Sequence, residues 1–418
     1  MPYKPLDDDV IEAIIQQDLL ETHYQPICSA KQGRIVGFEA LLRPYHPVTG
    51  DPVPPMQLFD YAARKGQSAE WDEHCRARAL ETYARHFQGH LDSTLFVNFD
   101  TQIIDDGIAG AARLVTEVNR FDLNPANIVL EIRESSVHDM NALIQFVEVC
   151  RRSGFLIALD DIGSGHSNLE RVAVLKPDLL KIDRSLVAEI DRLYHKQEVF
   201  RSLVNLAHQI GALAVGEGVE TEQEALFCLD INADILQGFF LGHPTSINDN
   251  AIQLAKEQTI HLGGTFREYL VKKIGQKQAE AQHYDAIVNG ILCVLANAAG
   301  SDFDVYLNDI VSQHKQIDSI YALDENGIQV TRTVMSPRDR RDPRCFIFEA
   351  ADRGVDHSYK DYVFLLKTGL ARYVTEPYIS VVSGVLCRTI STTFRAADRC
   401  KYILCVDFIP TVDPGAAP

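Results

Sequence analysis

Six short apolar runs, each ending in a residue that can bind a metal or exchange a proton, constrain the fold of this chain more than any other feature. The runs are IVGFE, LFVN, IVLE, LIALD, LLKID and LAVGE, and they lie between residues 20 and 250. Continuous apolar runs of this length are typical of strands that are buried on both faces of a parallel sheet. Longer segments with apolar residues three and four apart separate them, and segments 138–154 and 196–211 both end at glycine.

This alternation of strand and helix predicts an α/β protein with a (β/α)8, TIM-like barrel. The carboxyl ends of barrel strands meet on one face, where the chemistry of such barrels is located. A single Asp or Asn at a strand end is more often the cap of the next helix. Six strand ends of this chemistry together indicate a site instead, and its residues are Glu39, Asn98, Glu131, Asp160, Asp161, Lys181 and Glu217.

The chemistry of these residues points to a hard divalent cation. Carboxylate and amide oxygens without His or Cys suit Mg²⁺ or Mn²⁺ better than zinc, and carboxylates brought together would repel each other without cations between them. Two ions about 4 Å apart can bind the attacking and leaving oxygens of a phosphodiester displacement. Lys181 would orient water, stabilise the developing charge or accept a proton. Glu217 would be a ligand or a base.

The charge balance limits the partners. The chain has 40 basic and 58 acidic residues and a formal charge of −18, which argues against binding a DNA or RNA polymer or an anionic membrane without specificity. The first residues, MPYKPLDDDVIEAI, lack a basic region followed by an apolar one. No apolar run approaches the roughly 20 residues that span a bilayer. We therefore expect a cytoplasmic protein with no membrane span.

Eight motifs connect the site residues to a known family. The segment GFEALLRP at 37–44 contains the Glu-Ala-Leu signature, and HYQPI, VNFD, LEIRE, DDIGSGHSNL, KPDLLKID, GEGVET and LQGFFLGHP occur in the family's order over roughly 225 residues. The chain thus resembles the EAL phosphodiesterases. The resemblance implies an enzyme that hydrolyses cyclic di-GMP to linear pGpG, with one or two Mg²⁺ or Mn²⁺ ions per site, and that is usually a homodimer.

The resemblance also implies a role for each matching residue. The family's metal ligands match Glu39, Asn98, Glu131 and Asp160, and the ligand of the second ion matches Asp161. The residues that position or activate water match Lys181 and Glu217, and a residue that holds the loop after Asp161 matches Glu134. The positions that line the dinucleotide site match Gln25, Arg43 and Gln237. A polar residue at a barrel rim, such as Gln25 or Gln237, also commonly only satisfies backbone groups.

Three residues depart from the family's pattern. Ile162 replaces the usual Phe after the paired aspartates, His166 lies in GHSN where Gly-Tyr-Ser-Ser is usual, and Asp100 replaces a Ser. Losing a residue that holds a metal ligand in place can lower metal affinity or activity roughly 10–100-fold. A weakly catalytic cyclic di-GMP receptor, which binds the nucleotide and relays its occupancy, therefore remains the alternative to a phosphodiesterase. An unrelated metal-dependent barrel enzyme fits the strand ends but not the motif order.

The second half of the chain has a different pattern. A helical stretch is followed by IDSIYALDENGIQVT, a strand–turn–strand; by HSYKDYVFLLKTG, a helix; by PYISVVSGVLCRTISTTF, a hairpin; and by CKYILCVDF, a strand. This order loosely resembles PAS-like or Cache-like sensor domains of α+β type. The predicted domains are a barrel at 1–250, a helical connector at 251–300 and a sensor at 301–410. An unknown small anionic ligand is a candidate for a pocket lined by Tyr359, Arg372, Tyr373, Tyr378 and Arg388.

Overall fold

A computed structural model describes residues 6–87, 93–99, 108–133, 139–165, 169–337 and 349–410. The chain divides into two compact units, with the boundary between Leu270 and Val271. Asp100, Glu134 and His166, three positions singled out in the sequence, lie outside the described residues. Most of the predicted loop at 335–344 and the tail from 411 onward lie outside them as well.

The first unit is built on a closed barrel with the strand order β1-β2-β3-β4-β5-β6-β7-β8. Its strands are β1 (Leu20–Ser29), β2 (Arg34–Pro44), β3 (Thr94–Phe99), β4 (Ile128–Arg133), β5 (Leu156–Ile162), β6 (Leu179–Ile182), β7 (Leu213–Gly216) and β8 (Ile235–Gln237). All six predicted runs are strands, so the predicted barrel is confirmed. β1 and β8 were not predicted, because β1 is rich in polar residues and β8 has only three residues.

The orientation of β1 departs from a regular (β/α)8 barrel. β1 pairs antiparallel with both β2 and β8, whereas the pairs from β2 to β8 are parallel. The long ladder from Leu20↔Pro44 to Ser29↔Arg34 extends β2 past Glu39. The prediction that this strand ends at Glu39 is therefore wrong. Antiparallel pairing also places Gln25 directly opposite Glu39.

Helices follow the strands as the apolar spacing predicts. They are α1 (Asp8–Gln16), α2 (Pro55–Lys65), α3 (Ser68–Phe87), α4 (Ile108–Arg120), α5 (Met140–Arg152), α6 (Leu169–Leu175), α7 (Arg184–Val187), α8 (Tyr194–Gln209), α9 (Glu222–Asp230) and α10 (Asp249–Ala296). The two helices predicted to end at glycine are α5 and α8. Gly154 and Gly211 follow them with φ of 100° and 81°, a left-handed conformation that favours glycine.

Two apolar layers hold the barrel together. Inside it, Ile27, Phe96, Val129, Ala158 and Val215 form a plug of buried side chains. A much larger cluster lies between the outer faces of the strands and the helices. Because side chains alternate along a strand, the neighbours of these inner residues face the helices. The interior of the barrel is therefore a packed apolar core, and polar side chains that could carry chemistry are located at one end of it.

The second unit is an antiparallel sheet with the strand order β10-β9-β14-β13-β11, in which β12 pairs with β13. Its strands are β9 (Ile317–Asp324), β10 (Val334–Met335), β11 (Arg372–Val374), β12 (Tyr378–Ile379), β13 (Leu386–Arg395) and β14 (Lys401–Phe408). Its helices beyond α10 are α11 (Phe303–Gln313) and α12 (Asp361–Lys367). The predicted helix, second hairpin and closing strand are confirmed. After the DENG turn, the described residues of the predicted return strand make only two isolated bridges, Leu323↔Gln329 and Ile328↔Asp356.

The residues proposed for one pocket in this unit lie on two faces of the sheet. Arg372 pairs with Asp285 of α10, and Arg388 lies 3.8 Å from Glu280 of the same helix. Tyr373 is the neighbour of Arg372 in β11, so its side chain points to the opposite face. The prediction of a single anion pocket lined by these residues is therefore wrong. Among the described helices, none has the length and hydropathy to cross a membrane.

Candidate metal centre

The predicted ligands lie side by side on four neighbouring strands. In the parallel ladders Asn98 of β3 pairs with Glu131 of β4, and Asp160 of β5 pairs with Arg133, two residues after Glu131. Glu39, on β2, is joined to Asn98 by a hydrogen bond from Asn98 Nδ2 to Glu39 Oε1 of 2.9 Å. All four side chains are largely or completely shielded from solvent. The strands thus bring together residues that are up to 121 positions apart in the chain, from Glu39 to Asp160.

Lys181 is the centre of the cluster. Its side chain is 1% exposed, and its Nζ lies 2.6 Å from Glu217 Oε1, 3.3 Å from Asp160 Oδ1 and 3.8 Å from Glu39 Oε2. Its shortest contact is with Glu131 Oε1. A buried ammonium group that contacts four carboxylates acts as their common counter-charge.

A distortion of β5 places both aspartates at the site. In a regular strand, consecutive side chains point to opposite faces, but the β5–β6 ladder shifts register between Leu159 and Ile162, and Asp161 has a φ of 58°. Such a bulge redirects a side chain. As a result, ligand atoms of Asp160, Asp161 and Glu217 all lie within 4.8 Å of one another. A left-handed Asp held in a barrel strand is the kind of local strain that accompanies functional sites.

A chain of amides holds Glu39 from the other side. Gln237 Nε2 donates to Glu39 Oε2 at 2.6 Å and lies 3.1 Å from Gln25 Oε1. Gln25 Nε2 in turn donates to the carbonyl oxygen of Gly242 at 3.2 Å. This arrangement was not predicted. The alternation over residues 24–28, with Tyr24 outside the barrel and Gln25 and Ile27 inside it, is typical of a strand.

Two buried amide oxygens at the site accept no hydrogen bond from the part of the chain that the structure describes. Among the described residues, Asn98 Oδ1 and Gln237 Oε1 have no hydrogen-bond partner. Leaving a buried polar atom unsatisfied costs about 1–3 kcal/mol. Together with the carboxylates, these oxygens are a hard donor set, and the residues therefore fit a divalent cation.

The pKa values at the site reflect burial and crowding. Burial, with the Glu39 carboxylate, raises the pKa of Glu131 well above its usual range. Burial raises the pKa of Glu217 to about 8, with Asp160 and Glu39 adding to the increase and Lys181 opposing it. Burial by itself would lower the pKa of Lys181, but the surrounding carboxylates outweigh it and raise that pKa. Four carboxyl groups around one ammonium group, with Asp161 beside two of them, therefore leave an excess of negative charge that a bound cation would balance.

Other predicted positions are less central. Arg43, near the end of β2, is half-buried and donates to the carbonyl oxygen of Leu42 at 2.9 Å. Ile162 is buried among the apolar residues outside the barrel and pairs with Ile182 of β6. The substituted position therefore keeps an apolar anchor. Glu134 lies outside the described residues.

The family model of the EAL domain matches residues 7–244, which is more than half of the chain, and the chain belongs to the EAL-domain family. It is 33% identical over 243 residues to MucR of Pseudomonas aeruginosa, named a bifunctional diguanylate cyclase/cyclic di-GMP phosphodiesterase. It is 29% identical over 244 residues to the cyclic di-GMP phosphodiesterase NbdA of the same organism. These matches cover 56% and 57% of this chain but only 34% and 30% of the two relatives.

Two solved structures share the fold. YkuI of Bacillus subtilis, in complex with cyclic di-GMP and calcium, superposes with a TM-score of 0.78 over 97% of this chain and all of that chain, at 22% identity. At that identity the match shows the fold alone. The phosphodiesterase part of MucR, in a complex with cyclic di-GMP, matches with a TM-score of 0.52 at 29% identity, over 57% of this chain and 96% of that one.

Proposed function

We propose that this chain hydrolyses cyclic di-GMP to linear pGpG with the help of Mg²⁺ or Mn²⁺. The observation that carries the proposal is the convergence of four carboxyl groups on Lys181, with Asp161 beside two of them. Next to them, Asn98 Oδ1 has no hydrogen-bond partner among the described residues. The family and the names of MucR and NbdA support the choice of substrate.

The metal ligands in this proposal are Glu39, Asn98, Glu131 and Asp160, with Asp161 for a second ion. Bound ions would neutralise phosphate charge and lower the pKa of water. Asp160, Asp161 and Glu217, whose ligand atoms already lie close together, support a second position. Whether one or two ions bind is a question for titration.

Lys181 and Glu217 would handle the water and its proton. Lys181 is a fixed positive charge 2.6 Å from Glu217, and it would hold that carboxylate in place and stabilise charge on the phosphate. Because burial raises the pKa of Glu217 to about 8, this carboxyl is mostly protonated at neutral pH when no cation is bound. A cation beside it would favour the carboxylate form, which would then accept a proton from the attacking water. The water oxygen would bond to phosphorus as the ring P–O bond breaks, and the proton that Glu217 takes from the water would pass to the leaving oxygen.

We also propose that Arg43, Gln25 and Gln237 contribute to the substrate site. Half-buried Arg43 would contact a phosphate or a base edge of the dinucleotide. Gln25 and Gln237 are already hydrogen-bonded to each other, and Gln237 to Glu39, so their contribution includes holding that ligand. Glu134 would support the loop after Asp161, as the family resemblance implies.

The test is incubation of the purified protein with cyclic di-GMP and Mn²⁺ or Mg²⁺, followed by chromatography of the nucleotides. We expect pGpG that a chelator abolishes and that Glu39→Ala eliminates. The matched control Glu257→Ala, an exposed Glu on α10, should leave the product unchanged. Tight binding without product would favour the receptor alternative instead. Full activity in Glu39→Ala would refute the ligand assignment.

The remaining proposals concern organisation. We propose a barrel domain at 1–250, a helical connector at 251–300 and a PAS-like or Cache-like sensor at 301–410 that modulates hydrolysis and binds a small ligand. We propose further that the protein is a cytoplasmic homodimer. Support for the sensor is the antiparallel sheet with helices α11 and α12. Removal of residues 265–418 without any change in rate, affinity or dimer mass would contradict both regulation and a role in dimerisation.

A further inference from the structure

A buried ion cluster lies outside the barrel, behind the end of β3. Arg76 of α3 is 5% exposed, and its Nε donates to Glu117 Oε2 of α4 at 2.8 Å. The same guanidinium is paired with Asp72, one turn earlier in α3. Removing three charged groups from water costs free energy, and a buried ion cluster is weak evidence that it stabilises the fold. The Asp72–Arg76–Glu117 cluster is therefore a candidate for a second role.

The guanidinium also contacts the strand that carries a proposed ligand. Its carbon Cζ lies 4.6 Å from the centre of the Phe99 ring, a cation–π distance. The same ring contacts Phe146 of α5, with ring centres 5.5 Å apart. Phe99 is buried in the outer apolar layer, and it packs against both partners.

Phe99 directly follows Asn98, and alternation places the two side chains on opposite faces of β3. A clamp on the outer side chain fixes the peptide unit from which the inner side chain projects. On the inner face, Asn98 Nδ2 donates to Glu39 at 2.9 Å while its Oδ1 has no hydrogen-bond partner among the described residues. Small rotations of β3 would move this oxygen, because β3 ends one residue after it.

We propose that Arg76 is a positioning residue that acts through Phe99 to aim Asn98 Oδ1 into the metal centre. The inference rests on the proposed metal site. Asp72 and Glu117 hold the guanidinium beside the ring, and Arg76 itself would touch neither metal nor substrate. Removing the contact between Arg76 and Phe99 weakens metal binding on the order of 10-fold. This is the lower end of the loss that follows when residues holding a metal ligand are replaced.

The experiment separates positioning from folding by neutralising the whole cluster. The triple variant Asp72→Asn, Arg76→Met, Glu117→Gln leaves no unpaired buried charge, so it should keep a melting temperature close to that of the parent. We expect it to bind Mn²⁺ about tenfold more weakly, measured by the electron paramagnetic resonance signal of free Mn²⁺. At saturating Mn²⁺ its turnover should return to the parental rate. Arg76→Lys, which keeps the charge without the planar fork, should also bind more weakly.

Arg78→Met is the matched control, because Arg78 lies on the same helix and pairs with Asp18 at the surface. It should leave Mn²⁺ affinity unchanged. A triple variant that binds Mn²⁺ as tightly as the parent would overturn the inference. If the parent binds no Mn²⁺, the proposed function fails, and the NMR signal of the Asn98 side-chain amide still decides this inference. A shift of that signal in the triple variant but not in Arg78→Met supports it, and an unchanged signal overturns it.

Discussion

Replacing Lys181 by Met tests whether its ammonium is the counter-charge of the metal centre. The side chain is 1% exposed and lies within 4 Å of four carboxylates. Removing one partner of a buried ion pair costs about 3–5 kcal/mol. Because burial and Glu39 already raise the pKa of Glu131, that residue can take up a proton and keep the loss near the lower end. For a unit of this size, about 3 kcal/mol corresponds to about 6–12 °C in melting temperature.

A bound cation should compensate for the missing ammonium. Metal that binds only the folded state adds about 2.7 kcal/mol at 100 times its Kd, and it also relieves the repulsion that the substitution creates. We therefore expect Lys181→Met to retain metal binding, to lose turnover and to gain more stability from Mn²⁺ than the parent does. The melting temperature of Lys181→Met should therefore lie far below that of the parent in chelator, and closer to it in saturating Mn²⁺.

The assay is differential scanning calorimetry of both proteins in chelator and in Mn²⁺. Lys256→Met, at an exposed position of α10, controls for the loss of one positive charge. A Lys181→Met protein as stable as the parent in chelator would show that the carboxylates do not depend on the ammonium. Equal stabilisation of both by Mn²⁺ would refute the idea that the cation replaces it.

Three further predictions concern single side chains. Asn98→Ala removes the amide oxygen that has no partner among the described residues, and calorimetric titration should find Mn²⁺ affinity lowered on the order of 10–100-fold; unchanged affinity would exclude Asn98 as a ligand. Gln237→Leu leaves Glu39 Oε2 without this donor, and urea unfolding should detect a loss of about 1–3 kcal/mol. Asp407→Asn concerns the second unit, where burial raises the pKa of Asp407 above 3.8. The stabilisation of the fold by this protonated carboxyl is therefore full below about pH 3.8 and is lost as the pH rises through the pKa of the folded protein. The free energy of unfolding of the variant should therefore increase relative to that of the parent between pH 4 and 7. Parallel plots of unfolding free energy against pH for the two proteins would contradict this prediction.

The barrel could be predicted because parallel strands are buried on both faces. Such burial demands continuous apolar runs such as LIALD, which stand out in any sequence. β1 was missed for the opposite reason. It contains Thr22, His23 and Pro26, and its pairing is antiparallel to both neighbours, so it carries no continuous apolar run. The short β8 has three residues and no flanking signal.

That these carboxylates lie close together could be predicted from the sequence, but their geometry could not. Carboxylates at strand ends were recognised by residue type alone. The left-handed φ of Asp161, which places both aspartates at the site, depends on a register shift between two strands 20 residues apart. Pairing of Arg372 and Arg388 with α10 likewise depends on which sheet face the long helix covers. Local sequence does not encode such long-range choices.

The direction of the amide chain explains why two oxygens remain partnerless. Asn98 and Gln237 each carry one NH₂ group, and both donate it to Glu39. An amide that donates from nitrogen presents its oxygen in another direction, and here both oxygens are buried without a donor among the described residues. Glu39, held by two donors and near Lys181, has a lowered pKa although burial alone would raise it. The network thus keeps Glu39 ionised and leaves its two amide neighbours with oxygen atoms that a cation or a water could satisfy.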